Sequence, residues 1–247
     1  LAERLDDRRL EIEVFANRGS MHYFRGDYES AQADLAKAAK RAAALGLQTE
    51  SALIANNLGF VLMQLGRHAD AEREFRRAVE THRENGALIS LIGPYNGLGN
   101  VLREQQRYQE ACDYFRRALS LAQESEDRVN VGVAYLNLGQ CALLEGRLAD
   151  AKHELALALT VLEDTKFWNG LARVYEWMAR LNLRVGNVVE AVRCAERRID
   201  LAQRHENRPL EADAWRQKAE ALRIAGRIDE AETCLKHATD IEDQAAN

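Results

Sequence analysis

Proline occurs only twice in 247 residues, aromatic residues make up 6% of the chain, and no run approaches the roughly 18 apolar residues of a spanning helix. Scarce proline leaves helices uninterrupted. The missing apolar run excludes a transmembrane helix, and no apolar segment near the start marks a signal peptide. Cysteine is sparse and scattered. Cys112, Cys141, Cys194 and Cys234 form no CxxC pair and lie in amphipathic patterns, so they read as buried or partly buried free thiols of a reducing, cytoplasmic compartment rather than a disulfide frame. A basic surplus is lacking too: at a net charge of -5 the chain is unsuited to displacing counterions from phosphates, so neither nucleic acid nor membrane is expected as a partner. Lysine supplies only six of the 34 basic residues, and the arginine- and alanine-rich composition points to a GC-rich, bacterial coding sequence.

Catalytic signatures are also missing. There is no GxxxxGK[ST], HExxH or GxSxG, and the six histidines fall at different places along the chain. The reading is a non-enzyme that needs no cofactor and no metal.

What is present is helical periodicity and a repeat. The stretch NLGFVLMQLGRHADAEREF, residues 57–75, carries Gly59 inside a helical run, where glycine costs about 1 kcal/mol against alanine. The same feature returns every 40 residues as Gly19, Gly59, Gly99, Gly139, Ala179 and Ala219. Twelve positions after each stands an alanine (Ala31, Ala71, Ala111, Ala151, Ala191, Ala231), and four later a mostly large apolar residue (Leu35, Phe75, Phe115, Leu155, Ala195, Leu235). A turn residue recurs seven positions after the first: Gly26, Gly66, Gln106, Gly146, Gly186 and Gly226. This spacing predicts six helical hairpins in which the small residue of the first helix faces the small residue of the second, so that the backbones approach closely. The turn residue ends the first helix in the left-handed conformation, at a cost on the order of 1 kcal/mol for Gln106. Each hairpin leaves an apolar face that only stacking on a neighbour buries.

The pattern resembles the tetratricopeptide repeat. Repeat three supplies Tyr95, Leu98, Gly99, Leu102, Ala111, Phe115 and Ala118, and repeat four Tyr135, Leu138, Gly139, Ala151, Leu155 and Ala158. The usual period is about 34 residues; forty is similar to the longer-helix variety of kinesin light chain, the Leu-Gly-Asn polarity proteins and maltose-activator-like bacterial regulators. The resemblance implies an all-α fold, an α-solenoid of six stacked helix-turn-helix repeats forming a right-handed superhelix. It covers residues 1–247 as a single array, with repeats at about 12–45, 52–85, 92–125, 132–165, 172–205 and 212–243.

Residues 1–10 read as the remnant of a preceding repeat, because Leu1 is in register with Leu121 and Leu201. No polar capping helix is evident at the other end. The chain therefore reads as a segment of a larger protein, or as one that self-associates through its ends. Repeat five departs from the pattern at Ala179, Ala195 and Arg198, which predicts weak stacking on repeat six and a local bend.

The resemblance also implies that the first helix of each hairpin lines a concave groove. The positions that point into it hold Asn17, Asn57 and Asn137, Asn96, and Phe60, Asn100, Gln140 and Arg180, joined by Arg103, Arg173, Trp177, Arg184 and Arg216. A carboxamide both donates and accepts, so the amides form a ladder suited to the backbone of an extended peptide; the alternative is that they bond neighbouring helices. Arginines dominate repeats five and six, around Trp177. Phe167 and Trp168 stand together in one loop, either as an exposed anchor or folded over helix ends. The expected function is a protein-interaction scaffold binding a peptide or partner segment in the groove. Its alternatives are a regulatory or sensor arm of a larger signalling protein or transcription regulator that binds a small effector or signal peptide, and a structural assembler.

Overall fold

The computed structural model describes the backbone of residues 2–246 and the side chains of residues 7–244. Among the described residues there are twelve α-helices and no strand, and the chain divides into two compact units, Leu1–Glu126 and Asp127–Asn247. The first holds α1 (Ala2–Phe24), α2 (Tyr28–Ala44), α3 (Gln48–Gln64), α4 (His68–Glu84), α5 (Ile92–Glu104) and α6 (Tyr108–Glu124). The second holds α7 (Arg128–Leu144), α8 (Leu148–Thr165), α9 (Trp168–Arg184), α10 (Val188–Arg204), α11 (Arg208–Ile224) and α12 (Ile228–Ala246). Each unit is thus three antiparallel hairpins, an α-solenoid segment in which odd-numbered helices are the first of each pair. Residues 2–10 show no turn, since α1 runs unbroken from Ala2; Leu1 lies outside the described residues.

The turns obey a shorter period than the forty legible in the sequence. A residue of positive φ stands at every twentieth position from Gly26 to Gly226, closing the first helix of every hairpin and the second helix of the first five. Seven of these are glycines; Gln106, Glu126, Lys166 and Glu206 adopt φ of 61°, 57°, 54° and 52°. At ten of these eleven turns the following residue donates its N–H to the carbonyl five positions back, as from Asp27 to His22 (3.0 Å) and Arg107 to Leu102 (2.8 Å), which satisfies a carbonyl the helix end would leave bare. At most turns that same residue is the N-cap of the succeeding helix. Asp27, Asp127, Asn187 and Asn207 accept the N–H three residues on. Repeat three begins differently: a 3₁₀ turn, Ile89–Leu91, precedes α5, because Pro94 has no N–H to continue a regular first turn.

The close approach within each hairpin differs from the small-on-small expectation. A Cβ on Gly59 would meet the Phe75 ring at 2.7 Å, and on Gly19 and Gly139 it would meet Leu35 and Leu155 at 2.8 Å. The space of the missing side chain is taken by the large residue of the second helix, not by the alanine one turn earlier, because only the longer side chain reaches across the gap. Where Ala179 replaces glycine, the facing position is correspondingly Ala195. Phe75 is clamped twice, since Gly97 of the next hairpin also abuts the ring. Around these contacts lies the core of each unit. Leu35, Ala38 and Ala42 of α2 pack with Ile54 and Val61 of α3, and Leu155, Ala158 and Leu162 of α8 pack with Val174 and Leu181 of α9. All four cysteines are buried free thiols.

Two outcomes follow. Gly97→Ala should cost about 1–3 kcal/mol in chemical denaturation through overpacking, and Phe75→Leu should recover part of that loss in the double variant. Replacing Gln106, Glu126, Lys166 and Glu206 together by glycine should raise the melting temperature, each site relieving about 1 kcal/mol of left-handed strain; an unchanged or lower value would show that these turns carry no strain.

Candidate functional site

The residues marked out by the sequence fall into two exposed clusters and a buried group. On the first unit, Asn57 and Phe60 of α3 line a cavity of about 280 Å³ together with Ser20, Tyr23, Phe24, Leu35 and Val61. Its walls are mainly aromatic. Tyr23 and Phe24 meet edge to face at 5.6 Å, Phe60 rests edge-on against Phe75 at 5.0 Å, and Phe24 is 85% exposed. Asn56 donates to the Asn57 carbonyl oxygen at 3.3 Å and lies where a side chain on Gly93 would be, so Asn56 packs between helices while Asn57 faces the cavity. Asn17 is exposed on α1, outside this cavity. On α5, Asn96 is buried and Asn100 half-buried, and Arg103 lies 3.3 Å from Glu104; none of the three joins the cavity.

On the second unit the amides turn inward. Asn137 and Gln140 are each only 1% exposed, and Arg173 Nη2 reaches the Asn137 carbonyl oxygen at 3.5 Å. As placed, the two amides of α7 belong to the interior, so a continuous open ladder of carboxamides does not form. Trp177, Arg180 and Arg184 of α9 instead share a cavity of about 380 Å³ with Leu143 and Leu144 of α7, Leu183, and Glu220 and Ile224 of α11. The Arg180 guanidinium lies 4.7 Å over the Trp177 ring and pairs with Glu176 at 2.7 Å. Such a stack holds the cation over a flat apolar surface and orients its remaining N–H groups outward. Arg216 is exposed and bonded to Glu242 of α12, apart from this cavity. Phe167 joins the core beside Leu162, and Trp168 stacks on His205 at 4.3 Å, so the loop aromatics cover helix ends rather than stand free.

Sequence reasoning misjudged Arg198. In the position where the pattern wants a small residue, its side chain is 5% exposed and forms a three-helix link. It donates to Asp213 (2.6 Å) and Gln217 (3.3 Å) of α11 and approaches Glu176 of α9 at 3.5 Å; Gln217 in turn donates to the Glu176 backbone carbonyl at 2.9 Å. Repeats five and six are thus joined by a polar network centred on the buried Arg198, reaching the exposed Asp213, in place of the expected weak stacking. The sequence signal was the carboxylate and amide at 213 and 217, one turn apart on the facing helix.

Among the described residues no cluster of histidine, cysteine and carboxylates could hold a metal ion, and no helix is long and apolar enough to cross a membrane.

Paired helices, most of 17 or 18 residues, a left-handed residue in every turn, and small residues that admit a neighbour's large side chain define a helical-repeat protein of the α-solenoid class. The tetratricopeptide repeat profile matches residues 90–164 and 170–243, and a second profile of the same description matches residues 51–85; the chain belongs to the tetratricopeptide repeat family. No curated protein matches it by sequence. Solved structures share the fold at low identity. BtubC (BKLC) from P. vanneervenii is 18% identical over 89% of this chain and 92% of its own, with a TM-score of 0.72. The Rap conjugation gene regulator of plasmid pLS20, in complex with the Phr* peptide, is 18% identical over 99% of this chain and 77% of its own (TM-score 0.73). A Rap protein complexed with Competence and Sporulation Factor is 14% identical over 96% and 76% (TM-score 0.75).

The Arg198 network makes a distinguishable pair of outcomes. Glu176→Gln with Asp213→Asn leaves the buried guanidinium without its counter-charges and should cost about 1–2 kcal/mol, discounted because Asp213 is exposed to solvent, whereas Arg198→Met removes the charge itself and should cost less than the double variant does. Urea denaturation of both variants checks this.

Proposed function

We propose that this chain is a protein-interaction scaffold whose first-helix faces receive an extended peptide or partner segment. The observation that carries the reading is the second unit's cavity, which sets an apolar wall of Leu143, Leu183 and Ile224 beside the Trp177 and Arg180 stack and the Arg184 guanidinium. That combination suits a segment with an apolar side chain next to a carboxylate, because tryptophan and arginine together provide buried area and a charged, directional contact. On the first unit the aromatic cavity accepts an apolar side chain while Asn57 offers its carboxamide to the segment's backbone. Preformed helices lose little freedom on binding, which favours affinity for a flexible partner.

Family membership supports the interaction role, and so do relatives of the same fold solved with a peptide or factor bound. A non-catalytic role in the cytoplasm, six hairpins acting as one array, and a partner that is protein or peptide rather than nucleic acid or membrane belong to the same proposal. A second reading is a regulatory arm of a larger signalling protein or transcription regulator that binds a signal peptide. It is favoured by the regulator of this fold that carries the Phr* peptide.

Selection from a displayed random-peptide library tests the proposal. Peptides retained by the chain should pair an apolar residue with an acidic one or a free C-terminus, and bind more weakly as salt is raised. Arg180→Ala with Arg184→Ala should weaken them about tenfold or more, a loss of about 1.4 kcal/mol, with unchanged helicity. Peptides that bind the double variant as well as the parent would end the reading.

A further inference from the structure

Repeat three breaks a pairing that repeats one and two keep. In the first two, a cation on the second helix is neutralised by a carboxylate three residues earlier: Lys37 lies 3.4 Å from Asp34, and Arg77 lies 2.8 Å from Glu74. Forty residues on, the cation is Arg117 but the carboxylate has become Tyr114, and the guanidinium rests 5.3 Å over the tyrosine ring instead. A ring face attracts a cation without cancelling its charge. A second departure lies at position 83, which is arginine where its counterparts at forty-residue intervals are Ala43, Gln123, Glu163 and Gln203. Arg83 donates to the Tyr95 hydroxyl at 2.9 Å. Among the described residues neither Arg83 nor Arg117 forms an ion pair.

The two departures meet in one place. Residues of α4, α5 and α6 line a cleft of about 340 Å³ in which Arg83 comes from α4 and Arg117 from α6, above the buried Val79 and Leu98. The rings of Tyr95 and Tyr114, on which the two guanidiniums rest, are 5.8 Å apart. A third guanidinium in the cleft, that of Arg76, is already held by Glu72 at 2.6 Å. Glu80 and Glu84 also line it, exposed and paired with neither arginine. They repel a polyanion laid along the surface while leaving space for a single anionic group between Arg83 and Arg117. The fold itself does not demand this charge: in the matching cleft of the second unit, position 163 is a glutamate, and it accepts from the Tyr175 hydroxyl at 3.3 Å as Arg83 donates to Tyr95.

We propose that the cleft between α4 and α6 binds one phosphate monoester group carried on an apolar or aromatic body. Two uncompensated guanidinium charges match the charge of about −1.5 to −2 that such a group bears near neutral pH, whereas a carboxylate leaves one of them unmatched. A guanidinium has five N–H donors in a planar fork that fits phosphate oxygens two at a time, so both arginines keep donors for the ligand. Val79, Leu98 and the Tyr114 ring receive the organic part. The arginines stand on second helices, so the inference does not rest on the peptide-binding reading of the first-helix faces.

The test is a titration of the isotopically labelled full chain with phenyl phosphate, followed by NMR at the arginine Nε–H groups, with benzoate and benzyl alcohol as comparison ligands. The Arg83 and Arg117 signals should shift saturably with phenyl phosphate, at an affinity about tenfold or more above that for benzoate, and benzyl alcohol should leave them in place. Arg83→Gln with Arg117→Gln should abolish saturation, whereas Arg116→Gln, whose charge is already paired with Asp113 at 3.1 Å, should preserve it. Tyr114→Glu restores the carboxylate of the first two repeats; it should neutralise Arg117 and weaken binding about tenfold with helicity unchanged. A phosphotyrosine tripeptide that binds more tightly than phenyl phosphate places the natural group on a protein side chain, and equal binding places it on a small metabolite. Shifts that never saturate, or saturation that persists in the double variant or in Tyr114→Glu, overturn the site. Benzoate binding as tightly as phenyl phosphate overturns the assignment to phosphate.

Discussion

The contact on which each hairpin depends is that of a large side chain filling the space of an absent one. Gly59 and Gly97 together leave a slot that the Phe75 ring fills, and the backbones of α3, α4 and α5 are set at the distance the ring allows. Dispersion between the ring and the bare backbone of two helices is gained only at that distance, so the approach is both permitted and fixed. The helix propensity lost at an interior glycine, about 1 kcal/mol, is offset by burying a phenylalanine completely, about 1.5–3 kcal/mol. Everything at the surface, the cavities included, is positioned by helices whose separation these contacts determine.

Most of the fold was legible because forty-residue spacing repeats the same physical demand six times, and coincidence does not survive six trials. The twenty-residue half-period escaped notice for a chemical reason. The turns between hairpins carry Glu126, Lys166 and Glu206 against only Gly46 and Gly86, and the three non-glycine residues adopt positive φ without advertising it in sequence. The pairing partner of the small residues was misassigned because sequence register alone does not say how far a side chain reaches. Gly59 is in register with Ala71 but in contact with Phe75 one turn later.

The candidate site was only partly legible. Asparagine at a groove position does two different jobs, and the sequence does not separate them: Asn57 faces a cavity, while Asn137 is closed into the interior of α7. What decides between them is the neighbour. At 173 an arginine reaches back to Asn137, while Asn57 is held by Asn56 and left facing outward. Arg198 shows the converse case, in which a departure from the repeat pattern is a compensated one. Its charge is satisfied from two helices at once, so the exception is visible only when the residues at 176, 213 and 217 are brought together.

The adjacency of the first helices also sets a length scale. Three of them stand side by side in each unit, and packed helices lie about 8–10 Å apart, so the strip they present is about 16–20 Å from first axis to last. An extended chain advances about 3.3 Å per residue. One unit therefore measures out about five or six residues of any strand laid across it, which is the size of a short linear motif rather than of a folded domain.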